Sequence, residues 1–221
     1  MVEIKSYTLR PTALVPNSPL PLLHHVGLLS EESERTSGYV YDLFQSNGWQ
    51  VQWLVRYGHT QRSHYHSASH ECMAVLTGSA TIRFGVADTE ADMEKNTHGS
   101  ACEEGGLELR VNAGDLLIIP AGVAHKTYNA VPARDFERLS PGDGHQVGDG
   151  ALRDAYRAIE LSGFTMLGAY PKGCQWDFLE GGESDGDYEA VWNVPKPDTD
   201  PVFGKDRQGL LSFWEKPTTS Y

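Results

Sequence analysis

The residues able to do chemistry crowd into one short run, GHTQRSHYHSASHEC, where His64, His66 and His70 fall within seven positions and Glu71 follows directly. In an extended strand residues i and i+2 face the same way, so His64 and His66 project two imidazoles into one space. That is a metal-ligand spacing. A carboxylate from the next strand, Glu71, and an imidazole from a distant one, His125 in IPAGVAHKTYN, would complete a set of three histidines and one carboxylate. Such a set suits one divalent transition ion, whether Fe, Mn, Co, Ni, Cu or Zn. His70 and Glu71 are neighbours, so on a regular strand only one of the two faces inward. Arg62 shares the phase of His64 and His66 if the strand is already regular there. Its planar fork can then clamp a substrate carboxylate or enolate, the alternative being a surface ion pair with one of the many acids. Met73, Val75 and Thr77 share the phase of Glu71 and predict an apolar wall. Trp53, Tyr57, Phe84, Tyr128 and Trp176 are candidate aromatic neighbours whose faces the pattern leaves open.

The elements that must position these groups follow from the periodicity. Ser30 can cap a helix running to about Gln45, with Tyr39, Val40, Leu43 and Phe44 on one face, and Asn47-Gly48 stops it. From Trp49 the period becomes two, and the runs WQVQWLVRY, ECMAVLT, ATIRFG, LELRV, DLLIIP and FTMLGAYP, each bounded by Gly, Pro or Asn, predict an all-β barrel or sandwich. Two insertions interrupt it. One is acidic, from Asp88 to Gly106. The other spans Ala130 to Leu161, carries a helix near Ala151–Glu160, and is either a lid or a surface elaboration. The reading is one domain: residues 1–48 an N-terminal arm and helix, 49–179 the barrel with its 130–161 insertion, and 180–221 a C-terminal arm wrapping the barrel or a neighbour.

At 221 residues, with 39% hydrophobic and 22% charged side chains, the composition is that of a globular protein. Eighteen basic against 30 acidic residues give a net charge of −12, which disfavours nucleic acid and anionic membranes as partners. The first residues hold no continuous apolar run and carry Pro11, Pro16, Pro19 and Pro21, so they read as neither signal peptide nor membrane span, and the cytoplasm is the default location. Cys72, Cys102 and Cys174 are odd in number and widely spaced, which agrees with a reducing compartment.

The histidine run and the His125 segment resemble a known family. Gly58-x5-His64-x-His66-x4-Glu71-x6-Gly78 looks like the first cupin motif at every specified position, and Gly114-x5-Pro120-x-Gly122-x2-His125-x3-Asn129 looks like the second. The wider chain, from about residue 16 to 204, resembles the uncharacterised YjlB-like single-domain cupins through PNSPLPLL, NGW, HYHSASHE, PAGVAHK, GAYPKGCQWDF and DPVFG, departing from them in the 130–161 segment. This resemblance implies a double-stranded β-helix, the cupin jelly roll, whose ligands point into the barrel. Its four-residue spacer selects Glu71 as the ligand, leaving His70 outward or at the turn, the alternative being an acid–base group or substitute ligand. A metal so held implies a small oxygenated substrate and three readings. An oxygenase using Fe, Cu or Ni leads. A Lewis-acid isomerase, lyase or decarboxylase using Zn, Mn or Co follows, and a non-catalytic binder comes third. The Pro-rich start and apolar GLLSFW end predict strand exchange in a homodimer.

Overall fold

The structure is a computed structural model that describes residues 3–141, 150–184 and 186–215. In chain order its elements are β1 (Glu3–Leu9), β2 (Ser18–Val26), α1 (Ser37–Ser46), β3 (Trp49–Arg56), β4 (Glu71–Thr77), β5 (Ser79–Phe84), α2 (Met93–His98), β6 (Leu107–Asn112), β7 (Leu116–Ile119), β8 (His125–Val131), β9 (Glu137–Arg138), α3 (Gly150–Arg157), β10 (Thr165–Pro171), α4 (Tyr188–Trp192) and α5 (Leu210–Phe213). A seven-stranded antiparallel sheet in the order β1-β2-β7-β4-β10-β3-β9 faces a three-stranded one, β6-β5-β8. This is the jelly-roll sandwich expected from the short period-two runs.

Strand β4 shows how the two cores arise. Met73 and Val75 point between the sheets, beside Trp53, Ile82, Phe84, Leu117, Ile119, Met166 and Tyr170. Cys72, Ala74 and Leu76 point the other way, under Val40, Tyr41 and Phe44 of α1 and against Leu210 and Trp214 of the C-terminal arm. Because both faces are covered, the strand is apolar almost throughout instead of alternating. In β3 a bulge changes the phase. Trp53 pairs with Gly168 and Val51 with Ala169, so Gln52 is an extra residue that turns Trp53 to the inside while Val51 stays outside.

Two expectations need correction. The early helix starts later than Ser30. Glu32–Arg35 is a 3-10 turn, and α1 is capped by Thr36, whose Oγ1 accepts from the Tyr39 N–H at 3.2 Å, because Thr36 is extended and cannot continue the turn. The start of the chain is also more than an arm, since β1 and β2 are full strands of the large sheet. Pro19 and Pro21 are tolerated because β7 pairs only with Leu23, His24 and His25. The C-terminal arm wraps its own barrel, where the Trp214 indole N–H donates to the Pro21 carbonyl at 2.9 Å. Part of the 130–161 insertion, residues 142–149, lies outside the described residues. Among the described residues no helix is long and apolar enough to cross a membrane, and all three cysteines are free.

The fold also buries a titratable group. His25 is fully buried, neither ring nitrogen has a hydrogen-bond partner among the described residues, and its ring stacks on Phe203. Burial pushes its pKa from 6.5 down to about 4, with Asp200 opposing and His24 adding to the fall. The unfolded chain therefore binds the extra proton between these limits, so His25's contribution is complete above pH 6.5 and is lost as the pH falls towards 4. The loss amounts to about 3 kcal/mol at most. Urea midpoints of the metal-free protein should fall across this window, and less steeply in His25→Phe. Equal slopes would refute a buried neutral His25.

Candidate metal centre

The pairing of two non-consecutive segments assembles the site. His64 and His125 form an antiparallel bridge, His64 N–H donating to the His125 carbonyl at 3.1 Å and the reverse bond measuring 2.8 Å. Their rings come within 4.3 Å, centroid to centroid. A buried ion pair braces the bridge from behind. Asp88 takes the Lys126 ammonium at 3.0 and 3.1 Å and accepts the Ser63 N–H at 3.0 Å, tying the residues next to both histidines together. His66 is held by a turn, its carbonyl accepting the Gly122 N–H at 2.8 Å. Gly122 has φ +87°, and a Cβ there would strike the Asn17 carbonyl, so only glycine permits this approach.

The reactive nitrogens of His64, His66 and His125 lie within 4.8 Å of one another, all on buried residues. Each ring has its other nitrogen on a backbone carbonyl: His64 Nδ1 on Arg62 at 3.2 Å, His125 Nδ1 on Val123 at 3.3 Å, and His66 Nδ1 on Asp177 in a short contact. A carbonyl only accepts, so each Nδ1 carries the proton and each Nε2 offers its lone pair. Glu71 enters from the first position of β4. Its Oε1 accepts from the Tyr170 hydroxyl and from the Trp53 indole N–H at 3.3 Å. Its Oε2 faces His66 Nε2 at 3.4 Å and His125 Nε2 at 3.3 Å without a hydrogen bond. Lone pairs facing lone pairs in a buried space call for either a proton or a metal cation between them. Donor atoms about 3.0–3.4 Å apart are what two ligands about 2.1 Å from one ion would show. The three histidines therefore fit a divalent ion, with Glu71 Oε2 beside His66 and His125 as the carboxylate in reach.

Protonation follows the same logic. Burial, with His125 and His66 adding to it, pushes His64 well below 6.5, and burial also lowers His125 against the opposing pull of Glu71. For His66, burial is outweighed by the Glu71 charge and the ring is raised above 6.5. Glu71, despite burial, is held at about 2 by His66, His125 and the Tyr170 hydroxyl. In the metal-free chain a proton on His66 thus takes the place a cation would fill.

A cavity of about 190 Å³ opens beside these groups, lined by aromatic side chains that include Trp53, Tyr57, Tyr170, Trp176 and Phe178, and by Gln61 and Arg138. Phe178 stacks on the His64 ring at 3.9 Å and 12°. Trp53 lies flat over Gly168, where any Cβ would fall inside the indole.

The other sequence-nominated residues are placed differently. His70 is buried on the far face of β4, its Nδ1 accepting the Ala121 N–H at 3.0 Å and its ring against Trp214. Burial takes it to about 4, against the Pro195 and Val194 carbonyls. Arg62 does not line the cavity. Its Nε binds Glu180 at 3.1 Å and its Nη1 the Glu90 carbonyl at 2.8 Å. Met73 and Val75 wall the barrel interior as their phase predicts. Of the five aromatic candidates, Trp53, Tyr57 and Trp176 reach the cavity, whereas Tyr128 turns to Glu108 and Arg83. Sequence reasoning missed Tyr170, Phe178, Gln61, Arg138 and the bracing Asp88. The first could have been found from its strand phase, two residues beyond Gly168, but the others carry no local signal.

The family model described as Cupin matches residues 56–155 of this jelly-roll sandwich, the stretch that carries all four candidate ligands. The chain is 27% identical over 221 residues to the uncharacterized protein YjlB of Bacillus subtilis, covering 97% of this chain and 98% of that one. Among solved structures it is similar to the 3,4-ketoisomerase QdtA from Thermoanaerobacterium thermosaccharolyticum (13% identity, 57% of this chain and 60% of that one, TM-score 0.32). It is also similar to the hydroquinone 1,2-dioxygenase PnpCD (16%, 57% and 59%, TM-score 0.29). A third is the oxalate decarboxylase of Lactobacillus farciminis (15%, 66% and 35%, TM-score 0.31). The chain thus spans less than two thirds of each of these solved structures.

Because burial keeps His64 and His125 low while the Glu71 charge raises His66, loading one divalent ion should release about one proton below the raised His66 pKa and progressively less above it. Calorimetric titration with Zn²⁺ in two buffers of different ionisation enthalpy measures this. Apparent affinity should also weaken as the pH falls through that region. Release of no proton would contradict the His66–Glu71 arrangement.

Proposed function

We propose that the protein is a metal-dependent dioxygenase acting on a small oxygenated organic molecule. The observation that supports this most is the convergence of His64, His66 and His125 Nε2 with Glu71 Oε2 beside an aromatic-walled cavity. A divalent ion there would act as a Lewis acid on a substrate oxygen and, as Fe, Cu or Ni, would supply the redox chemistry that uses O2. The chain's own residues do the positioning. Three backbone carbonyls fix the tautomers, Trp53 and Tyr170 hold Oε1 so that Oε2 is the donor, and the aromatic walls exclude water. The walls offer little for proton shuttling near neutrality, since burial raises Tyr57 and Tyr170 still further above 10. One feature supports a Lewis-acid isomerase, lyase or decarboxylase as the second reading: the Tyr170 hydroxyl bonded to Glu71 is a proton-bearing group at the cavity wall.

Plasma mass spectrometry of protein purified without chelators should find about one equivalent of Fe, Cu or Ni, lost in a His64→Ala/His125→Ala double variant, with O2 uptake on a small-molecule substrate. Zn, Mn or Co with anaerobic turnover would move the assignment to the Lewis-acid reading. A wild type that holds no metal even after reconstitution would leave a non-catalytic binder.

We further propose a cytoplasmic homodimer, supported by three free cysteines and by β1, an edge strand of the seven-stranded sheet. Light scattering should give twice 24.4 kDa. A monomeric mass removes the dimer.

A further inference from the structure

We infer that Arg138 and Gln61 anchor the carboxylate of the substrate, and that the substrate is a small acid with a flat, unsaturated body. This rests on the metal-centre reading and names the substrate class for the same cavity. Several arginines of the chain have a carboxylate partner, and Arg35 and Arg110 are satisfied by backbone carbonyls and a serine hydroxyl. Arg56 has Glu137, Arg62 has Glu180, Arg83 has Glu108, and Arg153 and Arg157 share Asp42. Arg138 has no such partner among the described residues. Its Nε makes one long contact to Ser140 Oγ at 3.4 Å, and its Nη2 is buried with no acceptor. Gln61, on the same cavity, likewise has its Nε2 buried and unsatisfied.

Both orphaned groups are donors, so the missing piece is an acceptor. A guanidinium fork beside an amide N–H matches a carboxylate, which accepts in parallel from both. The two donors cannot stand in for metal ligands, because neither has a lone pair to give. They therefore complement the metal centre on the substrate's side. The arginine is also built in: Arg138 pairs with Val55 of β3, and next to it Arg56 binds the Asp135 carbonyl at 3.1 Å and the Glu137 carboxylate. The remaining walls set the body of the molecule. Trp53, Tyr57, Trp176 and Phe178 present ring faces and edges that favour a flat partner. About 190 Å³ is below the roughly 300–1,000 Å³ of pockets for drug-sized ligands. Net charge agrees, since a divalent ion and Arg138 against Glu71 leave the cavity positive.

Benzoate and its neutral isostere benzamide are the probes. Binding is read by calorimetry and by the fluorescence of the cavity tryptophans, on metal-loaded and on chelator-stripped protein. Wild type should prefer benzoate by tenfold or more in both forms. Arg138→Met should abolish that preference, leave benzamide within twofold and leave metal content unchanged. Arg138→Lys should recover part of it, and Gln61→Leu should lose less than Arg138→Met. The proposal is overturned if benzoate binds neither form, if it binds no better than benzamide, or if Arg138→Met leaves benzoate affinity unchanged. Failure of the metal reading would show separately, as a wild type that holds no ion while the stripped protein still distinguishes the two probes through Arg138.

Discussion

A carboxylate closed between two β-sheets has to be neutralised, and Glu71 is neutralised on one side only. Trp53 and Tyr170 satisfy Oε1, while Oε2 looks onto the lone pairs of two imidazoles. An unpaired buried charge is among the costliest things a fold can contain. With no cation present the chain meets the demand by raising His66 and placing a proton on it. In the proposed metal-bound form, Oε2 and these imidazoles, with His64, would be the ligands. Much of the surrounding structure can be understood as what holds that choice open.

The supports come from both sheets and from the C-terminal arm. Trp53 reaches Glu71 only because Gln52 bulges out of β3 and because Gly168 leaves the space the indole occupies. The Asp88–Lys126 pair, buried and shared with the Ser63 backbone, keeps the segment carrying His64 against the strand carrying His125. The 176–178 segment closes over the mouth. Asp177 accepts His66 with its carbonyl and Ser67 with its carboxylate, at 2.7 and 2.6 Å, and Phe178 covers His64. These contacts join residues more than a hundred positions apart, so rigidity at the centre depends on the whole barrel.

Charge is distributed with the same economy. Most arginines are spent on surface carboxylates, which contribute little to stability individually. Arg138, on a two-residue strand paired to β3, is instead directed to the cavity. Arg35 and Arg110, which also lack a carboxylate, are satisfied by backbone carbonyls and a serine hydroxyl, whereas Arg138 has a buried Nη2 with no acceptor among the described residues.

Strands such as β4 and β7 were legible in the sequence because a run of apolar residues bounded by Gly or Pro is a local signal. His64, His66, Glu71 and His125 were legible because i, i+2 phase and a gapped pattern survive in one dimension; the structure groups the three histidines and sets Glu71 beside His66 and His125. Other features depend on register. A bulge inverts every side chain beyond it, so period two alone would set Trp53 beside Val51 on the wrong face. Arg62 had the right phase but met Glu180 first, whereas Arg138, distant in sequence and in no recognisable pattern, was brought to the cavity by its pairing with Val55. His70, as conspicuous in sequence as its neighbours, went to the opposite face because alternation allows only one of two adjacent residues inside. The sequence by itself determined which residues could bind a metal and which fold class would carry them, since both follow from spacing along the chain. Which groups wall the cavity, and which donors are left there without a partner, was decided only when strands far apart in sequence fell into register.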